Sequence, residues 1–336
     1  MAETAPFWSE SERVRNAIVD MLLAAEDGYV SGQAMSESLG ITRTAVWKHL
    51  QHLMELGFAI EAVHGQGYRL RGHPDILMAP LLRRRLPSAC RLGQDAVWVP
   101  RVDSTNALAW RCAREGAPHG LVVSAGEQTG GRGRHGRSWF SPQGGLWMSV
   151  LLRRPIPLSR AAEVTLLASV AVRRAIGETT GLWPGIKWPN DIVHHGRKLC
   201  GILAEIRADG EVVEQVVLGI GINANIPADA FPPELRRTAT SVLAETGTPV
   251  DRLALAAALL AAFDPWLEAL ADDRPAFAEL AEEWRAANVT LGRWVRVATP
   301  TRLLVGVAER VDDRGVLYIR TESGKVCAVH SGDVLF

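Results

Sequence analysis

Cysteine is scarce. Cys90, Cys112, Cys200 and Cys327 are the only four in 336 residues, with no CxxC and no short His/Cys spacing. That excludes a disulfide scaffold and a cysteine zinc site, and it fits a reducing cytoplasm. An excess of charge of one sign is lacking too. Lys+Arg and Asp+Glu each number 37, so the formal net charge is zero. A histone-like polybasic protein and an acidic tail protein are excluded, while a local basic face is not. Long apolar runs are missing: stretches such as Ala254 to Ala262 fall short of the ~20 residues a membrane span needs, and no membrane association is expected. The opening MAETAPFWSESER has no basic start followed by an apolar core, so no signal peptide is expected. HExxH, GxSxG and Walker A patterns are absent, His194-His195 reads as a solvated turn, and no metal site is expected. What is present is a globular composition, 47% hydrophobic and 22% charged. At ~150 residues per domain, that supports two or three domains with cores of ordinary size.

The organisation changes twice along the chain. Ser9 and Glu12 offer a capping box for a first helix with Val14, Ile18, Met21, Leu22 and Ala25 on one face. Ser31 caps a second helix, with Ala34, Met35 and Leu39 inward and Gly40 closing it. Thr42 caps a third helix, carrying Val46, Leu50, Leu53 and Met54 inward and ending at Gly57. A hairpin turning at His64-Gly65-Gln66-Gly67 follows, and the sum is a winged helix-turn-helix. Residues 72–95 read as a connector with a short helix. From Ala96 the pattern becomes α+β, with strands expected at 96–102, 120–127, 145–153, 185–188, 198–207 and 211–222. Helices are expected at 104–115, 159–178, 251–270 and 275–287. Residues 290–336 alternate apolar and polar around short turns, the pattern of a small β-barrel.

Four segments carry chemistry. Gln128-Thr129-Gly130-Gly131-Arg132-Gly133-Arg134-His135-Gly136-Arg137-Ser138-Trp139 lies between two apolar strands. Its glycines allow close backbone approach, and its arginines suit carboxylate and phosphate. A solvated basic loop and an RGG-like RNA contact are the other readings, but RGG segments normally repeat in disordered sequence. Ile186-Lys187-Trp188-Pro189-Asn190-Asp191 holds a lysine in extended backbone before Trp-Pro, either to neutralise anions as they combine or as a surface lysine before a turn. Asp103-Ser104-Thr105-Asn106 reads first as a helix cap. In Gly219-Ile220-Gly221-Ile222-Asn223-Ala224-Asn225 the small residues let a flat ring approach the backbone.

Taken in order, GRGRxGRxW, KWPND, RKLCGILAE and GIGINAN resemble the biotin protein ligase family. The segment SGQAMSESLGITRTAVWKHLQHLMELGF…GQGYRL looks like the operator-binding domain of its bifunctional members, the biotin operon repressors. The resemblance implies three units. Residues 1–72 are a winged helix-turn-helix. Residues 73–289 are a catalytic domain related to class II aminoacyl-tRNA synthetases, and 290–336 are a small barrel of the Src-homology-3 type. It implies activation of biotin by Mg2+-ATP to biotinyl-5′-AMP, then transfer to a lysine of the biotin carrier domain of a carboxylase. By resemblance, Ser104, Thr105, Asn106, Gln128, Arg132, Gly133, Arg134 and Lys187 bind biotin, with Lys187 and Arg134 catalytic. Trp139 and Asn223 lie at the adenylate. Operator DNA is the second partner, with Arg43, Thr44, Trp47, Lys48 and Gln51 of the third helix as contacts and a homodimer as the adenylate-bound state.

One feature runs against a strong DNA binder. Residues 1–72 hold six basic residues (Arg13, Arg15, Arg43, Lys48, Arg69, Arg71) against nine acidic ones. The basic residues are expected to gather on the third helix and wing, with His49, His52 and His64 adding partial charge. A ligase with a vestigial winged helix, a repressor with an inactive catalytic domain and a lipoate ligase remain the alternatives. The GRGRHGRSW and KWPND segments favour biotin over lipoate.

Overall fold

Ser9 and Glu12 cap each other's backbone in the expected box and open α1 (Glu10–Ala24), which buries Ile18, Val19 and Leu22. The structure, a computed structural model, describes residues 8–299 and 302–336. The first seven positions, on which part of the leader reading and the start of the N-terminal unit rest, lie outside the described residues. Ser31 caps α2 (Gly32–Leu39) and Gly40 closes it in the left-handed region. Met35 is fully buried but Ala34 faces solvent, so the inward stripe of this short helix is narrower than expected. Thr42 caps α3 (Arg43–Glu55), whose Val46, Leu50 and Leu53 face the core. The hairpin of β1 (Ala59–Val63) and β2 (Gly67–Gly72) completes the wing.

The connector forms α4 (Ala79–Arg85) and ties the winged helix to the rest. Arg83 bonds Asp20 at 2.6 Å, Arg84 donates to the Leu23 carbonyl, and Arg85 pairs with Asp251 at 3.0 Å. The central sheet is built from β3 (Ala96–Val102), β4 (Val122–Gln128), β5 (Leu146–Leu152), β6 (Ile156–Pro157), β7 (Gly185–Lys187), β8 (Asp191–His194), β9 (Arg197–Asp209) and β10 (Val212–Ile222). Its order is β3-β4-β5-β10-β9-β8-β7, with β6 beside β10 and only β3 and β4 parallel. Proline-asparagine-aspartate makes a turn as expected, but Asp191 already begins β8, a strand the sequence reading omitted. α5 (Thr105–Arg114) packs on β4, β5 and β10.

α6 (Glu163–Thr180) starts later than expected, because Leu158–Arg160 form a separate 3-10 turn after Pro157. After the short α7 (Val242–Thr246), α8 (Arg252–Ala271) and α9 (Ala276–Ala287) pack against it. The 20 residues of α8 are long and apolar enough, by length and composition, to cross a membrane, which the run at Ala254 to Ala262 did not lead one to expect. In this fold α8 is a core helix, with Leu255, Leu259, Leu260 and Phe263 fully buried. The C-terminal strands β11 (Trp294–Ala298), β12 (Leu303–Val311), β13 (Leu317–Arg320), β14 (Val326–Val329) and β15 (Asp333–Leu335) form an antiparallel sheet in the order β14-β13-β12-β11-β15. All four cysteines are free and buried, and burial pushes the Cys90 and Cys112 thiols up to about 11.

Candidate active site and nucleic-acid face

A cavity of about 870 Å³ opens over β9 and β10, walled by α5, the glycine-arginine loop and the C-terminal sheet. Two glycine positions explain how its floor admits other groups. Gly201 and Gly221 are register partners across β9 and β10. A Cβ on Gly201 would stand 3.0 Å from the Trp139 ring, and one on Gly221 2.6 Å from its Nε1. The flat ring expected against this glycine strand is therefore supplied by the protein itself. A Cβ on Gly219 would meet Asn106 Oδ1 at 2.4 Å, so bare backbone is required there as well.

A chain of polar groups crosses one end of the cavity. Ser104 caps α5, as local sequence favoured, and the first turn of that helix turns Thr105 and Asn106 inward. Gln128 Oε1 accepts from the Thr105 amide at 2.8 Å and from its hydroxyl at 3.1 Å. Gln128 Nε2 donates to Ser141 Oγ at 3.0 Å. The buried Ser149 hydroxyl lies 2.6 Å from Asn106 Oδ1, its acceptor, and 2.8 Å from Thr105 Oγ1. Asn106 Nδ2 donates to Glu205 Oε2 at 2.8 Å. Buried polar atoms joined in this way keep fixed orientations.

The other lining is cationic. Lys187 ends β7, and that strand is pinned from the C-terminal side: Trp188 N donates to Thr290 Oγ1 and the Trp188 indole to the Gly315 carbonyl, both at 2.9 Å. Burial, helped by Lys198 and Arg137, holds the Lys187 ammonium below the ordinary lysine range against the pull of Asp191 and Asp333. Its Nζ stands 5.1 Å from the centre of the Phe336 ring. Lys198 pairs with Asp191 at 2.7 Å and lies 5.2 Å from the Trp139 ring centre. The loop folds back through an Arg132–Ser138 bridge and a turn at Arg134–Gly136, where His135 takes φ +56°. Arg137 is held by Asp333 at 2.6 Å. Among the described residues, the guanidinium groups of Arg132 and Arg134 make no ion pair or hydrogen bond.

The structure thus brings Ser104, Thr105, Asn106, Gln128, Arg132, Gly133, Arg134, Trp139, Lys187 and Asn223 to one cavity. Asn223 is buried, and its amide is committed to the Thr240 and Lys198 carbonyls at 2.8 and 3.4 Å. Sequence reasoning missed Ser149, Lys198, Glu205 and Asp333. Lys198 and Glu205 both sit in the quoted RKLCGILAE segment, but they are seven residues apart, so alternation alone puts them on opposite faces. The irregular register of β9 against β8, where Ile192 pairs with Cys200 and Val193 with Lys198, brings Lys198 to the cavity side. His194 is half-buried, stacks edge-on against His195 and faces Glu245 at 3.7 Å, so the solvated reading of that pair fails for its first member.

A second cleft lies between α3 and the wing, lined by Arg43, Thr44, Trp47, His64 and Tyr68 among others. Arg43, Thr44, Trp47 and Lys48 are exposed, Trp47 by 52%, and Gln51 is half-buried. An exposure that large removes Trp47 from the core. The wing's charge differs from expectation. Arg69 and Arg71 both close on Glu61, at 2.9 and 2.7 Å, so the two guanidinium groups share one carboxylate and the hairpin cluster keeps a single net positive charge. His49 adds less of the expected partial charge, because burial, with Arg15 and His52 nearby, lowers its pKa.

Three family profiles match the chain: an HTH domain at 14–69, the biotin/lipoate A/B protein ligase family at 98–223, and the biotin protein ligase C terminal domain at 290–336. The bifunctional ligase/repressor BirA of Bacillus subtilis (strain 168) is 37% identical over 322 residues, covering 96% of this chain and 98% of its own. A Mycobacterium tuberculosis protein named biotin–[acetyl-CoA-carboxylase] ligase is 35% identical over 273 residues, covering 78% of this chain and 97% of its own. The structure of biotin protein ligase from Aquifex aeolicus in complex with biotin and ATP superposes with TM-score 0.63 at 28% identity, over 72% of this chain and 98% of that one. With free guanidinium groups over a neutral polar row, an HTH unit at one end and this identity across nearly the full length of both chains, the protein belongs to the bifunctional ligase/repressor BirA family.

Proposed function

We propose that the protein joins biotin to ATP, giving biotinyl-5′-AMP and pyrophosphate, and then transfers the biotinyl group to a lysine on the biotin carrier domain of a carboxylase. The observation that carries this reading is the polarity of one cavity, with a hydrogen-bonding neutral row at Asn106 and cations without partners at Arg132 and Arg134. Magnesium enters as part of the nucleotide substrate. A carboxylate is a poor electrophile, and joining it to a phosphate requires two anions to meet. Lys187, Arg132 and Arg134 neutralise them, with Lys198 beside them already paired to Asp191. The biotin carboxylate oxygen attacks the α-phosphorus and pyrophosphate leaves. An uncharged lysine amine of the carrier then attacks the acyl carbon, its proton is released, and AMP departs. Ser104, Thr105, Asn106, Gln128 and Gly133 hold the head of biotin. Trp139 and Asn223 stand by the base, and Arg134 closes the loop over the adenylate to exclude water.

We further assign operator binding to Arg43, Thr44, Trp47, Lys48 and Gln51 on α3, with the adenylate-loaded homodimer as the binding form in the cytoplasm. Two winged helices on two half-sites double the phosphate contacts that one weakly basic copy makes. A surface for the dimer is at hand. Beyond Cys200, β9 has no strand partner on the side away from β10 among the described residues, and Ile206 is 44% exposed there. The units that carry these roles are 1–72, 73–289 and 290–336. Mass spectrometry of the protein after incubation with biotin and Mg-ATP tests the reaction. Bound biotinyl-AMP and released pyrophosphate are expected, and the absence of both overturns the reading.

A further inference from the structure

The strand that carries Lys198 at its start carries a carboxylate at the far end of the same cavity. Glu205 lies seven residues along β9, about 23 Å from Lys198 at ~3.3 Å per residue. Glu205 has no ion pair among the described residues. Its Oε2 instead accepts from Asn106 Nδ2 at 2.8 Å and from the Trp110 indole at 3.3 Å. The two ends of the site therefore differ. Lys187 and Lys198 stand at one end beside Asp191 and Asp333, and at the other the Glu205 carboxylate accepts from two neutral donors of α5, the helix whose Arg111 and Arg114 also line the cavity.

The consequence falls on Asn106. An amide side chain can present either its oxygen or its nitrogen, and only its bonding partners decide which. Here both ends are assigned. Nδ2 is taken by a carboxylate, which can only accept, and Oδ1 accepts from Ser149 at 2.6 Å. That oxygen sits over the bare backbone of Gly219, where an added Cβ would stand 2.4 Å from it. We infer that Glu205 is a positioning residue that locks Asn106 with its oxygen toward the substrate head, so that the cavity selects a monocarboxylate whose other end carries N–H donors. A ring without N–H groups leaves the second lone pair of Asn106 Oδ1 unmet, and a buried acceptor without a donor is costly. A second carboxylate at that end meets the Glu205 charge. This inference rests on the proposed biotin activation and names what sets its selectivity: the cyclic urea of biotin supplies N–H donors, whereas the dithiolane of lipoate supplies none.

The experiment compares wild type with Glu205→Gln, of equal size, and Glu205→Asp, which keeps the charge. Biotin binding is measured first by calorimetry on wild type, and adenylate formation is then followed with biotin and with lipoate. Glu205→Gln lets Asn106 turn over, because a glutamine amide can donate as well as accept. Its KM for biotin is expected to rise about tenfold, the scale of losing one charge-assisted hydrogen bond. The kcat and the KM for ATP stay within about twofold, and the biotin-over-lipoate preference falls by the same tenfold. Glu205→Asp recovers part of the preference. A preference unchanged in Glu205→Gln overturns the inference, and so does a loss shared equally by biotin, lipoate and ATP, which marks a merely structural role. Wild type that fails to bind biotin overturns the proposed reaction itself, and the inference with it. Wild type that binds biotin beside an indistinguishable Glu205→Gln overturns the inference alone.

Discussion

The loop over the cavity and the wing of the helix-turn-helix are both short, glycine-bearing and arginine-rich, yet they use arginine in opposite ways. In the wing, Arg69 and Arg71 converge on Glu61 across the hairpin, and Arg69 also lies 4.5 Å over the Tyr29 ring. Those guanidinium groups hold the hairpin together. In the loop, Arg137 is tied to Asp333 while Arg132 and Arg134 have no ion-pair partner among the described residues. A cation already paired has little left for a ligand, whereas an unpaired one at a cavity wall gains most when an anion arrives. Counting basic residues along a sequence therefore misjudges both regions. It overstates the wing, and it does not separate the structural arginine of the loop from the two that stand ready.

The largest effect expected from this contrast is at the reacting centre. Lys187→Ala removes a half-buried cation, and loss of one such group typically costs ~10²–10³ in rate. Biotinyl-AMP formation in single turnover measures it, with the melting temperature close to wild type as the control. A near-normal rate excludes Lys187 from the chemistry. The pH profile sharpens the same point. The ammonium is the useful form, and burial holds its pKa below the ordinary lysine value. Activity should therefore fall on the alkaline side earlier than an exposed lysine would dictate. Lys187→Arg, which stays charged, should remove that fall.

Next in size is retention of the intermediate. Arg134→Gly takes away one of the two unpaired cations of the loop but leaves Lys187 in place. Adenylate should still form, yet dissociate on the order of tenfold faster. Escaped biotinyl-AMP then labels lysines of bystander proteins. Added serum albumin, probed for biotin, reads this directly. Unchanged release together with clean albumin removes Arg134 from the closing loop. Arg137→Ala probes the contrast from the other side: its partner is Asp333, so its loss should loosen the loop without removing a free cation.

Much of this was legible in the residues. Caps at Ser9, Ser31 and Thr42, followed by 3.6-period apolar stripes, specify the three N-terminal helices locally, and all three form with those caps, the second with Ala34 outside its buried stripe. The GRGRxGRxW, KWPND and GIGINAN segments supply six of the ten named residues that the fold gathers at one cavity, and Gln128 with Ser104, Thr105 and Asn106 of the helix-cap segment supplies the other four. What sequence could not supply was pairing. Glu61 lies eight and ten residues from its arginines, and only the hairpin register brings the three together. Asp333 lies far along the chain from Arg137, in a different sheet. Glu205 looks like an ordinary strand carboxylate until α5 lays Asn106 and Trp110 against it. The strand at Asp191–His194 was hidden because Pro189-Asn190-Asp191 is turn chemistry, and the turn and the strand share Asp191.

A smaller effect separates free from committed cations on the DNA face. Arg43 and Lys48 are exposed on α3 and make no ion pair among the described residues. Each, replaced by alanine, should weaken operator binding and lower the slope of log K against log salt by about 1. Arg71→Ala should lower that slope by less, because Arg71 shares the Glu61 carboxylate with Arg69. Fluorescence anisotropy on the operator at several salt concentrations, with adenylate-loaded protein, gives all three slopes. Equal slopes for Arg71→Ala and Lys48→Ala would mean that the wing opens its ion pairs on DNA, and the contrast between the two regions would fail.

The smallest effect lies outside the loop and the wing and concerns acid. His49 on α3 and His119 before β4 are both held below the ordinary histidine value, chiefly by burial. Around His119, Arg154 and Arg91 add to the depression while Glu268 and Asp264 oppose it. A depressed folded-state pKa means that the folded protein binds protons less readily than the unfolded chain. The stability each histidine contributes is therefore fully present above the unfolded value of 6.5, and it is lost as pH falls through the lower folded value. At His119 the geometry gives a second reason. Its Nδ1 accepts from the Arg153 amide at 3.0 Å, so the neutral ring carries its hydrogen on Nε2. Protonation would put a second donor against that N–H. His119→Asn keeps an acceptor for Arg153 and cannot be protonated. Its urea transition should consequently move less than that of wild type between pH 7.5 and pH 5.5, and His49→Gln should do the same for the winged helix. Identical pH dependence in wild type and His119→Asn would place the acid sensitivity elsewhere, among groups other than this buried ring.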